Sequence, residues 1–311
     1  MATAAPVQPS APHQGVLARH PLTFYFIIAY AGSWLVWLPL ALSEDGTGLL
    51  PFSIPLLLTT YGYAAFLGPF LSGFVMTGAT EGRAGLGRLL RRFVLWRVGI
   101  QWYLFVLLGV PAIFALAAVL LPGALGSFEG LAPLAPLPLL ALFAFVFFLG
   151  GPLAEEPGWR GFALPRLQRL HGPLVGSLIL GPLWALWHLP LFFVAAWKTP
   201  PTILNIVLYV CAATAFTIII TWVFNNTKGS LLIAILLHAA VNTSFATLIA
   251  LFPTPLVTDY GTTVPMVIGF GVLALLVIVL TRGRLGYQRY RQDVLAPATT
   301  HGRGADEMIE G

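Results

Sequence analysis

"LLALFAFVFFLGGPLAEEPGWRGFALPRLQ", residues 139–168, opens with an apolar run and then sets two adjacent carboxylates, Glu155 and Glu156, at its end. Runs of this kind recur along the chain. Of its 311 residues 58% are hydrophobic and 9% are charged, against about 25% charged in an ordinary soluble domain. The sequence therefore specifies an all-α, polytopic membrane protein whose medium is the lipid bilayer. Nucleic acid is excluded as a partner, because the net charge of +5 is spread over loops rather than gathered in a soluble basic domain. The single cysteine, Cys211, rules out an intrachain disulfide and a thiol-based metal cluster; inside an apolar run, it reads as packing.

About 20 apolar residues span the hydrocarbon core as a helix. Eight such runs are present, at 22–42, 55–78, 101–121, 134–154, 174–197, 203–224, 230–251 and 264–281. With eight spans, fifteen of the sixteen basic residues fall in alternate loops on one side, and Lys198 alone falls on the other, with Glu44, Asp45, Glu129 and Asp259. The positive-inside rule makes the basic side cytoplasmic, with both termini there. The expected localisation is a multi-pass plasma-membrane protein. Residues 1–20 read as a flexible tail, 21–281 as one transmembrane domain, and 282–311 as a basic, then flexible, tail. "EGRAGLGRLLRRFVLWR", residues 81–97, is a basic amphipathic connector, either lying along anionic headgroups or serving only to set orientation.

Ionisable residues inside spans are costly and mark functional sites. Those that remain are Glu155 and Glu156, His188 in "LWALWHLPLFF", and His238 with Asn242 in "LLHAAVNTSF". Trp184 and His188 are four residues apart, as are His238 and Asn242, so each pair shares a helical face. Neighbouring residues on a helix diverge by about 100°, so Glu155 and Glu156 face different partners. Glu156 is placed to pair with Arg160, which leaves Glu155 for a cavity. Pro157 and Gly158 predict a kink or break at the carboxylates.

"EEPGWR" fits the E-E-x-x-x-R motif, "WALWH" the F-x-x-x-H motif with Trp184 for Phe, and "HAAVN" the H-x-x-x-N motif of the CAAX-processing and bacteriocin-processing (CPBP, or ABI) family of intramembrane proteases, which the chain resembles over residues 130–250. The resemblance implies an intramembrane endopeptidase acting on a peptide or protein substrate, lipidated or membrane-associated, with Glu155, His188, His238 and Asn242 as its catalytic residues. In that scheme Glu155 with His188 activates water. His238 and Asn242 hold the oxyanion, and Glu156, Arg160 and Trp184 support the fold of the motif. No cofactor is needed. The second mechanism is zinc held by Glu155, His188 and His238. Two other classes stand beside the protease: a proton-coupled transporter and a non-catalytic immunity or partner protein.

Further residues read blandly. Trp159, Trp184 and Trp187 are expected as interfacial anchors or packing, and Gly151, Gly158, Gly161, Pro165, Pro173, Pro182 and Pro190 as backbone punctuation. The first four spans carry no signature. Depth poses a conflict: a fifth helix starting at Leu174 on the basic surface puts His188 about 21 Å deep, with Glu155 near the surface. Either residues 159–170 climb out as a helix from deeper carboxylates, or "GPLVGSLILGP" is broken and the fifth helix starts near Pro182. The site is expected in the cytoplasmic half and open to the cytoplasm.

Overall fold

The computed structural model describes residues 15–54, 61–197, 199–253 and 263–295. Lys198, Asp259 and most of the two tails lie outside them. Within the described residues the chain is helical, as backbone groups surrounded by hydrocarbon require. The helices are α1 (Pro21–Leu42), α2 (Leu71–Phe93), α3 (Ile100–Val119), α4 (Pro136–Leu149), α5 (Pro152–Gly158), α6 (Leu164–His171), α7 (Pro173–Trp187), α8 (Ile203–Asn226), α9 (Leu231–Leu251) and α10 (Thr263–Thr281). Among the described residues seven segments are long and apolar enough to cross a membrane, with 136–171 counted as one. The second predicted run, 55–78, loses its first six residues to the undescribed part; from Tyr61 it is helical through a π-turn, Phe66–Phe70, into α2.

Loop contacts reproduce the two faces that eight crossings require. Ser230 Oγ donates to Leu95 O at 2.7 Å, and Arg92 reaches the Tyr290 hydroxyl at 3.1 Å, so the connections after α2, α8 and α10 share a face. Ala195 N donates to Asp45 O, and Glu129 N to Leu251 O, each at 3.0 Å, which joins the intervening loops on the opposite face. The arginines crowd the first of these faces.

Two glycines decide how the carboxylate segment sits. Gly151 adopts φ +106°, a conformation that only glycine takes at low cost, and there α4 ends and α5 begins. The break therefore lies before the carboxylates, not at Pro157 as the sequence suggests. Proline at the sixth position of α5 removes one hydrogen bond, and the rod continues through a π-turn, Trp159–Ala163, into α6. Gly158 packs so closely on α1 and the π-turn before α2 that a Cβ would collide with the Pro69 carbonyl and the Tyr25 hydroxyl.

The depth conflict resolves in the first of its two ways. Residues 152–171 do climb out as a helical rod, which sets Glu155 about 21 Å from Arg169. "GPLVGSLILGP" is unbroken within α7, and Pro182 sits inside the helix. His188, at the end of α7, therefore lies about 22 Å from Pro173, matching the depth of Glu155. Cys211, expected to pack, is exposed on the outer side of α8.

Candidate active site

Glu155 and Glu156 part as their adjacency on a helix demands. Glu156 is fully buried, and its Oε1 accepts from Arg160 Nη1 at 3.1 Å and from His238 Nδ1 at 2.8 Å. Arg160 is buried as completely and also reaches Thr217 Oγ1 at 3.4 Å. A charge so deep is tolerated only with its partners in place.

Glu155 faces the other way. Its Oε2 accepts from Trp184 Nε1 at 2.7 Å. Trp184 also lays its ring face against the Arg160 guanidinium, 4.3 Å from the ring centre, and meets the His238 ring edge-on at 5.3 Å. The tryptophan that replaces the motif's phenylalanine thus contributes an N–H that phenylalanine lacks. His188 Nδ1 lies 3.0 Å from the Trp184 carbonyl. That carbonyl can only accept, so the proton is on Nδ1 and Nε2 is left as the acceptor.

Glu155, Trp184, His188, His238 and Asn242 line one cavity of about 370 Å³, and Glu156 and Arg160 do not. The structure thus brings together all four residues singled out for chemistry and keeps two of the three supporting ones, Glu156 and Arg160, behind them, while Trp184 lines the cavity itself. The tryptophans are not interfacial: Trp159 and Trp187 are buried, and Trp184 is 4% exposed.

The first half contributes after all. Trp37 of α1 lines the cavity and stacks on His188, ring centres 6.1 Å apart. Trp197 and Tyr209 pack on the same imidazole at 5.8 and 5.6 Å. None of these belongs to a motif; Trp37 and Trp34 sit three residues apart on one span, a weak pointer to a shared inward face.

The cavity walls also show direction. Trp197, Thr199 and Thr263 line it, and they belong to the loop face opposite the arginines, none of which does. Phe145 and Val146 of α4 form a side wall, and Phe145 is 52% exposed on the bundle exterior.

The zinc alternative would draw on Glu155, His188 and His238. Among the described residues no three His, Cys, Asp or Glu side chains are grouped to hold a metal ion. The Nδ1 atoms of both histidines are engaged by protein oxygens, so only their Nε2 atoms are open to a ligand.

Residues 136–244 match the family model described as type II CAAX prenyl endopeptidase Rce1-like. The CAAX prenyl protease 2 of Methanococcus maripaludis is 30% identical over 128 residues, 38% of this chain and 42% of that protein. The chain thus spans less than half the length of the curated relative it matches. Over residues 136–244, which hold its three motifs in order around a shared cavity, the chain is similar to the type II CAAX prenyl endopeptidases.

Proposed function

We propose that the chain is an intramembrane endopeptidase in which Glu155 activates water. The observation that carries this reading is the segregation of the carboxylates: Glu155 lines the cavity with His188, His238 and Asn242, while Glu156 is held behind it by Arg160 and His238.

A water between Glu155 and His188 Nε2 gives one proton to Glu155, and its oxygen adds to the scissile carbonyl carbon. The carbonyl oxygen takes the electron pair and is held by Asn242 and His238. His238 already directs Nδ1–H to Glu156, so it donates from Nε2 only as an imidazolium. Glu155 then returns its proton to the leaving nitrogen as the C–N bond breaks. Trp184 fixes one carboxylate oxygen of Glu155 throughout.

The aromatic lining suits an extended peptide with apolar residues beside the scissile bond, presented by a membrane-associated substrate. The exposed side wall at Phe145 supports lateral entry from lipid, and Trp197, Thr199 and Thr263 support an opening on the face away from the arginines. With the arginines assigned to the cytoplasm, these walls favour a lateral or outward opening over the cytoplasmic one expected from sequence. Prenylated substrates are what the matched family's description names; the cavity supports an apolar substrate without selecting a prenyl group.

The test is proteolysis of membrane peptides in liposomes. Glu155→Gln should lower kcat by at least about 10³-fold with folding retained, and His188→Ala and His238→Ala by about 10²-fold or more. Unchanged cleavage by Glu155→Gln sinks the glutamate-base mechanism. Loss of wild-type activity on chelation, restored by zinc, moves the reading to the metal route. A folded wild type that cleaves nothing leaves the non-catalytic partner.

A further inference from the structure

A second cavity, of about 520 Å³, shares no lining residue with the first. It gathers four guanidinium groups, Arg88 and Arg92 from α2 and Arg166 and Arg169 from α6, around Glu81 and Tyr290. Glu81 is the only carboxylate among the described residues that line it, and both its oxygens are taken, by Arg88 at 2.7 Å and Arg166 at 2.6 Å. Four positive charges against one negative leave a formal surplus of three. Arg92 Nη2 donates to the Tyr290 hydroxyl oxygen, so the hydroxyl keeps its own proton to donate.

The rim fixes the level of this cavity. Ala18 and Pro21, where the first span begins, and Val294, beyond the last, complete its wall. A bilayer spanned by α1 carries its lipid phosphates at that height.

We propose that this cavity binds the phosphate group of an anionic phospholipid. Planar guanidinium forks match phosphate oxygens two at a time, and basic clefts between transmembrane helices are suited to anionic headgroups. An orienting loop needs only charge, whereas here two helices bring four guanidinium groups to one cavity beside a buried tyrosine; Arg92 and Arg166 also donate to the Gly161 and Phe162 carbonyls, which leaves Arg88 and Arg169 to supply most of the open N–H groups. The site also ties α2 to the rod of the carboxylates, since Gly161, Pro165 and Arg166 form one wall. Ligand bound there stabilises the fold by mass action.

The full chain is reconstituted in nanodiscs of phosphatidylcholine, of phosphatidylcholine with phosphatidylglycerol, and of phosphatidylcholine with added inorganic phosphate, and its unfolding midpoint is measured. Phosphatidylglycerol should raise the midpoint by roughly 4 °C. The double variant Arg88→Gln with Arg169→Gln should lose most of that shift, whereas Arg97→Gln with Arg284→Gln, which removes equal charge outside the cavity, should keep it. Absence of the shift in the wild type, or equal loss in both double variants, overturns the proposal. If inorganic phosphate reproduces the whole shift, the lipid is overturned as the source and free phosphate takes its place. Should the first double variant unfold in phosphatidylcholine alone, Arg169→Gln by itself is read instead, with loss of about half the shift expected and full retention overturning the proposal.

Discussion

Arg160 and Arg166 stand six residues apart on one helical rod and each binds a glutamate, yet they solve opposite problems. The Arg160–Glu156 pair is local, four residues apart, with both side chains fully buried; the Arg166–Glu81 pair joins two helices distant in sequence, and Glu81 keeps a side-chain exposure of 32%. The inner pair is surrounded by aromatic rings and a histidine. The outer one shares its acid with Arg88 at the membrane surface. Interior charges are held by mutual dependence, because each would be intolerable alone; the outer cluster is held by excess, with Arg88 and Glu81 open to water and Arg166 alone nearly buried. One rod therefore carries a brittle cluster at the site and a forgiving one at the edge.

That contrast can be broken by substitution. Arg160→Ala leaves buried Glu156 with His238 as its one remaining side-chain partner among the described residues and should cost about 3–5 kcal/mol of stability, measured by denaturation in detergent; a loss under about 1 kcal/mol would make the inner pair ordinary. Gly158→Ala should cost about 3 kcal/mol, because its methyl meets backbone of the preceding helical segment, whereas Gly161→Ala meets only a Leu89 methyl at 2.6 Å, which can turn aside. Trp184→Phe keeps the ring over Arg160 but removes the N–H to Glu155, so kcat should fall roughly tenfold or more while the unfolding midpoint barely moves. Equal damage to both would recast Trp184 as packing.

The outer cluster should respond weakly and to solvent conditions. Glu81→Gln should cost about 1 kcal/mol and Arg88→Gln less, and raised salt should shrink both effects while leaving that of Arg160→Ala intact. Partial burial raises the Glu81 pKa, but the hydrogen bond from Arg88 and the charge and hydrogen bond of Arg166 outweigh it, and the net shift is downward. A depressed folded pKa means that the contribution is complete above the unfolded value, about 4.3, and is lost as pH falls through the lower folded one. Midpoints of wild type and Glu81→Gln should converge over that acidic range; a gap that persists there would show that the carboxylate charge is not what matters.

The motif-bearing segments were readable because each chemical residue is an anomaly where it stands. Glu155, His188, His238 and Asn242 are polar groups in hydrocarbon-compatible runs, and four-residue spacing gives their faces. Glu81 is no anomaly: it opens a basic connector and looks like a loop acid until Arg166 meets it. Trp37 was hidden for another reason, since an aromatic residue in an apolar span has many uses and only the approach of α7 reveals its own. The break was misplaced because Pro157 is the louder breaker in sequence, although Gly150 and Gly151 are the pair that can turn the chain. The contributions of Trp197 and Thr263 to the cavity wall were likewise invisible, because no motif contains them.

The π-turn at Trp159–Ala163 holds one residue more than an α-turn would, which rotates everything beyond it by about 100°. With Glu156 and Arg160 locked on the inner side, that extra residue is what aims Arg166 at Glu81. A chain shortened by one residue between Gly158 and Leu164 would recover regular helical phase and lose the ability to satisfy both clusters together. The segment behaves as a rotational spacer, more tolerant of exchanged side chains than of any change in length.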